Sequence, residues 1–118
     1  MRLMEISYGS ALAIESYGPG FFRVGTHVLR GASLITPWDA SSWGGLDDLG
    51  APLSLAGQID VLLLGLGQDV SVVPKAFRQA LEEVGIGVEP MNTPAACRTY
   101  NVLLGEGRRI AAAVLPVV

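Results

Sequence analysis

Asp60-Val61-Leu62-Leu63-Leu64-Gly65-Leu66-Gly67 is the stretch on which the fold class turns. A strand with one wet face alternates apolar and polar residues, whereas this one runs apolar without a break. It therefore reads as a strand buried on both faces. The next pattern downstream is helical. From Pro74 to Val84, Phe77, Leu81 and Val84 recur at helical spacing with Ala76 and Ala80 beside them. Lys75, Arg78, Glu82 and Glu83 fill the wet side, Pro74 fits the first turn, and Gly85 can cap the end. Ile86–Glu89 then reads as a second strand. Strand, helix and strand in that order predict a parallel pair with a right-handed crossover.

The rhythm continues to the end of the chain. Thr93 reads as an N-cap with Pro94 at the first helical position, and the helix runs through Ala95–Leu104 to Gly105. Arg109–Leu115 is the last strand, broken by Pro116.

Upstream the texture is β-rich. Ala11–Tyr17 carries apolar residues at Leu12, Ile14 and Tyr17, and Gly18-Pro19-Gly20 is a turn signal. Phe21–Val24, the turn Gly25-Thr26 and His27–Arg30 read as a hairpin. Ser33–Thr36 is a further short strand, or the same strand carried past Gly31, and Pro37 ends it. Residues 37–58 are the least regular: Asp47-Asp48 can open a short helix, and another fits near Pro52–Ala56. Trp38 and Trp43 are expected to cover one edge of the core, the alternative being a cleft lining.

Together these elements predict an α/β fold: a single three-layer domain over residues 1–118, with a mixed central β-sheet, N-terminal β-hairpins and two main helices. A length of 118 residues with 50% hydrophobic side chains is enough for one core.

Charge narrows the partners. Eight basic residues against eleven acidic ones give a net charge of −3, and no basic run exceeds Arg108-Arg109. Nucleic acid and anionic lipid both demand denser positive charge, so no nucleic acid is expected as a partner. The apolar runs Val61–Gly67 and Ile110–Val118 are too short to span a bilayer. Met1-Arg2-Leu3-Met4-Glu5 does not resemble a secretory signal, so a cytoplasmic location is expected. One cysteine, Cys97, and one histidine, His27, cannot form an internal disulfide or a Cys/His zinc site. No metal or cofactor is expected.

Gly65-Leu66-Gly67-Gln68-Asp69-Val70 begins like a dinucleotide fingerprint but has Val70 at the third glycine, and its helix starts late. The two glycines, Gly65 and Gly67, instead permit a turn leaving a buried strand.

The richest segment is Met91 to Asn101. A capped helix N-terminus at Asn92-Thr93 could hold a small anion or carboxylate. Arg98 and Asn101, three apart, would share a face as a clamp and an amide. Alternatively Arg98 tethers a loop carboxylate such as Asp39 or Asp47. Cys97, early in the helix and beside Arg98, is either an activated thiol or inert packing among Ala95, Ala96 and Tyr100. His27 beside its turn reads as solvent-facing, and the pairs Asp47-Asp48 and Glu82-Glu83 as solvated surface.

A resemblance adds to this reading. Gly85-Ile86-Gly87-Val88-Glu89, Met91-Asn92-Thr93, Ala95 through Leu104, Glu106-Gly107-Arg108-Arg109 and Ala111-Ala112-Ala113 resemble one family. Weaker matches are Tyr17-Gly18, Phe21, Gly31 with Ser33, Pro37 with Trp43, and Leu63-Leu64-Gly65 with Gly67. The family comprises small uncharacterised bacterial and archaeal proteins. It includes the mitochondrial respiratory complex I assembly factor three and an adipogenesis-associated animal protein with an Mth-type domain. The resemblance implies a three-layer α/β fold and no established catalytic residues.

Two functions follow. The first is a non-catalytic protein-binding or assembly factor, whose partner is another protein such as a membrane-complex subunit or its assembly machinery. The second is an enzyme or small-molecule-binding protein with an anion site at the start of the last helix. The candidate surface is Gly65, Gly67, Asn92, Thr93, Cys97, Arg98, Tyr100 and Asn101. A weak homodimer through an exposed strand edge is a further expectation.

Overall fold

Strand pairing sorts the chain into two sheets. In the computed structural model, which describes residues 11–118, β1 (Ile14–Gly18), β2 (Phe21–Val24) and β3 (His27–Arg30) form an antiparallel sheet in that order. The expectation for Met1–Glu5 lies outside the described residues. Val24 pairs with His27, so Gly25-Thr26 is the two-residue turn expected. Gly25 supplies the positive φ that such a turn needs.

The second sheet has five strands in the order β5-β4-β8-β6-β7. They are β4 (Ser33–Ile35), β5 (Ala40–Ser42), β6 (Val61–Leu66), β7 (Gly87–Met91) and β8 (Ile110–Leu115). β6 is parallel to both β7 and β8, while β4 is antiparallel to β5 and β8. The mixed sheet follows from its connections. Helix α2 (Lys75–Glu83) links β6 to β7, and α3 (Thr93–Gly105) links β7 to β8.

The sheet's two faces bury different partners, which gives three layers. Leu62, Leu64, Ala111 and Ala113 pack with Phe77 and Leu81 of α2, Trp43, and Leu55 beyond the short helix α1 (Gly50–Leu53). Leu63, Ile110, Ala112 and Val114 pack with α3 and with Phe22 and Val24 of the three-stranded sheet. The odd and even members of Val61–Leu66 thus serve opposite layers, as a continuous apolar strand must.

Of the two readings of Ser33–Thr36, the separate short strand is the one found, over Ser33–Ile35; Gly31, at φ +79°, turns the chain into the other sheet. Other expectations need correction. Trp43 is buried and its indole N–H donates to the Asp48 carbonyl at 2.8 Å, but Trp38 is 51% exposed and covers no core. Pro74 precedes α2 as its cap, and Val84, past the last turn, is exposed. β7 starts one residue later than expected and runs on to Met91. It tolerates Pro90 because it is an edge strand, where a missing N–H breaks no ladder. Of the two short helices expected, a 3₁₀ turn at Gly45–Asp47 ends at Asp47 where Asp47-Asp48 was expected to open one, and α1 overlaps the start of Pro52–Ala56, with Asp48 accepting from the Ala51 N–H at 3.3 Å.

Candidate functional site

The candidate residues separate into three groups. The first joins Gly65, Gly67 and Thr93 where β6 ends. Thr93 is fully buried. Its hydroxyl accepts from the Gly67 N–H at 2.8 Å and donates to the Leu115 carbonyl at 2.6 Å. Its own N–H donates to the Gly67 carbonyl at 2.7 Å. Three elements (β6, α3 and β8) are therefore tied through one side chain. Gly65 lets α3 come this close, because a Cβ there would lie 2.9 Å from the Thr93 hydroxyl and from a Val114 methyl. Gly67 adopts φ +86°, a region that favours glycine.

Asn92, not Thr93, is the N-cap. Its side-chain oxygen accepts from the Ala95 N–H at 2.8 Å. The Ala96 N–H makes the first intrahelical bond, to the Asn92 carbonyl at 3.0 Å. Thr93 N–H is taken by Gly67, and Pro94 has none. The expected anion site therefore has no free amide to offer, since an anion at a helix start needs those donors unpaired.

The second group faces the three-stranded sheet. The Tyr100 hydroxyl donates to the Leu12 carbonyl at 2.7 Å. The Asn101 amide donates to the Ile14 carbonyl at 2.8 Å while its oxygen accepts from the Ile14 N–H at 2.9 Å. Asn101 thus meets Ile14 as a neighbouring strand would, pairing both of its backbone groups. These two side chains hold the start of β1 on α3. Burial pushes the Tyr100 phenol above its ordinary range. Cys97 is buried beside them, and desolvation pushes its thiol up to about 12, outweighing the opposite pull of the Arg98 charge. A thiol held neutral is a poor nucleophile, so the activated-thiol expectation is not met.

The third group is Arg98 alone. It is exposed and, among the described residues, pairs with no carboxylate, so neither Asp39 nor Asp47 tethers it. Arg98 and Asn101 do not form one ridge. At about 100° per residue Asn101 lies nearer Cys97 than Arg98. Val102, 59% exposed one turn from Arg98, continues its stripe instead. That residue was missed in sequence; its signal was the i, i+4 spacing from Arg98.

Substitutions should separate these roles. Asn101→Ala removes the partners of both backbone groups of Ile14 at a part-buried contact, where water recovers some of the loss, and should cost about 1–3 kcal/mol in urea unfolding. Arg98→Ala should stay within about 0.5 kcal/mol of the parent. An equal loss in both would mean that Asn101 does not hold β1.

The other charged features are structural or solvated. Arg109 meets Asp60 at 3.2 Å and donates to the Gly57 carbonyl, joining the starts of β8 and β6. Glu82 pairs with Arg78 across one turn at 3.5 Å. His27 is exposed. Among the described residues no three His, Cys, Asp or Glu side chains gather as metal ligands. No helix among them is long and apolar enough to cross a membrane.

Comparison with known proteins places this geometry in a family. An uncharacterised protein of Rhodobacter capsulatus is 50% identical over 99% of this chain and 94% of its own length. The zebrafish (Danio rerio) NADH dehydrogenase (ubiquinone) 1 alpha subcomplex assembly factor 3 is 31% identical, with 98% of this chain and 71% of that protein covered. Among solved structures, one described as an outer membrane protein from Bartonella henselae matches with a TM-score of 0.83 at 34% identity, covering 92% of this chain and 98% of that one. A Bordetella pertussis protein described as an Mth938-like domain matches with a TM-score of 0.79 at 27% identity, covering 98% and 92%. The family described as "Protein of unknown function (DUF498/DUF598)" matches residues 14–115, and the chain belongs to it.

Proposed function

We propose that this protein is a non-catalytic binding factor that assists the assembly of a multi-subunit complex through contact with another protein. One observation carries the reading: the polar side chains that looked most able to do chemistry are spent inside the chain. Thr93, Tyr100 and Asn101 each complete a backbone group of another segment. Cys97 is buried and held as a thiol. What α3 leaves to solvent is a small stripe with Arg98 and Val102, a surface suited to contact. The likeness to an assembly factor over nearly the whole chain points the same way.

The test is affinity capture from the native host at matched expression, comparing the parent with Arg98→Ala plus Val102→Asp. A partner captured in stoichiometric amount and lost from the variant supports the reading and puts the contact on α3. A partner kept by the variant supports the role at another face. Absence of any stoichiometric partner after chemical cross-linking would overturn the proposal.

A further inference from the structure

The three-stranded sheet has an inner face committed to the core and an outer face with a distinct chemistry. Phe22 and Val24 point inward and are buried. Residues two apart on a strand, and residues directly opposite across a pair, share a face. Phe21 pairs with Arg30 and Arg23 pairs with Val28, so all four point outward together. Arg23 and Arg30 are exposed and Val28 is 51% exposed. The Phe21 ring lies over Gly18 of β1, where a Cβ would come within 2.5 Å of it, so the aromatic is fixed across the sheet. The two arginines are diagonal neighbours, about 7–8 Å apart at the backbone.

Neither guanidinium has an ion-pair partner among the described residues, where the pairs are Arg78 with Glu82 and Arg109 with Asp60. Glu15, in the bulge of β1, is the acid on this sheet and does not reach them within 4 Å. As diagonal neighbours, the two arginines concentrate positive charge on one small patch of the sheet. Their placement is notable in a chain whose net charge is −3.

We propose that this face is a docking site for an acidic segment of a partner protein. Such a segment would present two carboxylates to Arg23 and Arg30 and an apolar side chain to Phe21 and Val28. Arginine forks match carboxylates in bidentate geometry, and the apolar pair between them supplies area that charge alone does not. A second copy of this chain, paired symmetrically through the same face, would set arginine against arginine. A bilayer or nucleic acid would call for more than two cations. The inference names a face and a partner chemistry for the binding role proposed above and rests on that role.

A labelled peptide of alternating Glu and Val tests it by fluorescence anisotropy against the full chain, with a Lys/Val peptide of equal length as control. The Glu peptide should bind, and its affinity should fall several-fold between about 50 and 300 mM salt as exposed charges are screened. Arg23→Gln plus Arg30→Gln should weaken it about five- to tenfold, and Arg23→Glu plus Arg30→Glu further still. Unchanged thermal melting would show that both variants fold, as expected for surface sites. Equal binding of the two peptides, or equal binding by parent and variants, would overturn the inference. So would variant-sensitive binding to vesicles of phosphatidylglycerol without binding of the Glu peptide, which would assign the face to lipid. The peptide result stands whether or not the host capture yields a partner, so the two proposals can fail separately.

Discussion

Thr93→Val should destabilise the protein by about 2–4 kcal/mol, a large loss for a shape-matched change in this fold. Valine matches threonine in shape, so no cavity opens and the change isolates the hydroxyl. The Gly67 N–H would lose its acceptor and the Leu115 carbonyl its donor. The bond to Gly67 is buried, so water cannot replace that acceptor, whereas the half-buried Leu115 carbonyl can recover part of its loss from solvent. Each stranded buried group costs about 1–3 kcal/mol, against about 1 for a satisfied bond simply exchanged with solvent. Thr93→Ser keeps the hydroxyl and gives up one buried methyl, for about 1 kcal/mol. Urea unfolding of the pair should rank Val well below Ser. The Gly67 amide should also exchange faster with solvent in the Val variant alone. A Val variant as stable as the Ser one would mean that the junction of β6, α3 and β8 is held by packing and not by this hydroxyl.

The same junction shows what a sequence can and cannot disclose. Val61–Leu66, the helix after Pro74 and the strand Ile110–Leu115 were legible because each encodes its burial in its own period. The helix start at Asn92-Thr93 was legible only to within a residue. Asn and Thr both make good caps, and what decides between them is the contact of Thr93 with Gly67, 26 residues away. β5 was not legible at all: Ala40-Ser41-Ser42 has no apolar alternation because it is an edge strand with exposed serines. The break between β3 and β4 hung on Gly31, whose positive φ a sequence permits without requiring.

The candidate site divides along the same line. In sequence Thr93 reads as a cap, Asn101 as an amide beside Arg98 and Tyr100 as packing around Cys97, and the structure engages all three in hydrogen bonds. Their partners are main-chain groups of Gly67, Leu115, Leu12 and Ile14. Main-chain partners leave no mark in composition, so a residue that completes a distant strand looks, in sequence, like one awaiting a ligand. Arg23 and Arg30 show the converse. They sit seven positions apart and draw no notice until the hairpin register sets them on one face.

Alkaline pH should weaken this fold through Cys97. The buried thiol is pushed up to about 12 from a usual value of 9.0. Between those values the unfolded chain gives up a proton that the folded chain keeps. Raising the pH therefore favours unfolding, and the stability tied to the neutral thiol is whole below pH 9 and gone above pH 12. Linkage puts the loss from this one group at about 1 kcal/mol for each pH unit inside that window. Tyr100, also raised by burial, adds a loss of the same sign once the pH passes its ordinary value of 10.0. Cys97→Ala isolates the cysteine. It should start slightly less stable for want of a sulfur atom, then hold its urea midpoint between pH 8.5 and 10 while the parent declines. Iodoacetamide should report the same chemistry, labelling the native thiol at pH 8 far more slowly than the urea-unfolded one. Parallel decline of parent and variant, together with fast native labelling, would show that the thiolate is accessible in the fold. Cys97 would then return as a nucleophile, and the non-catalytic reading of this helix would lose its chemical basis.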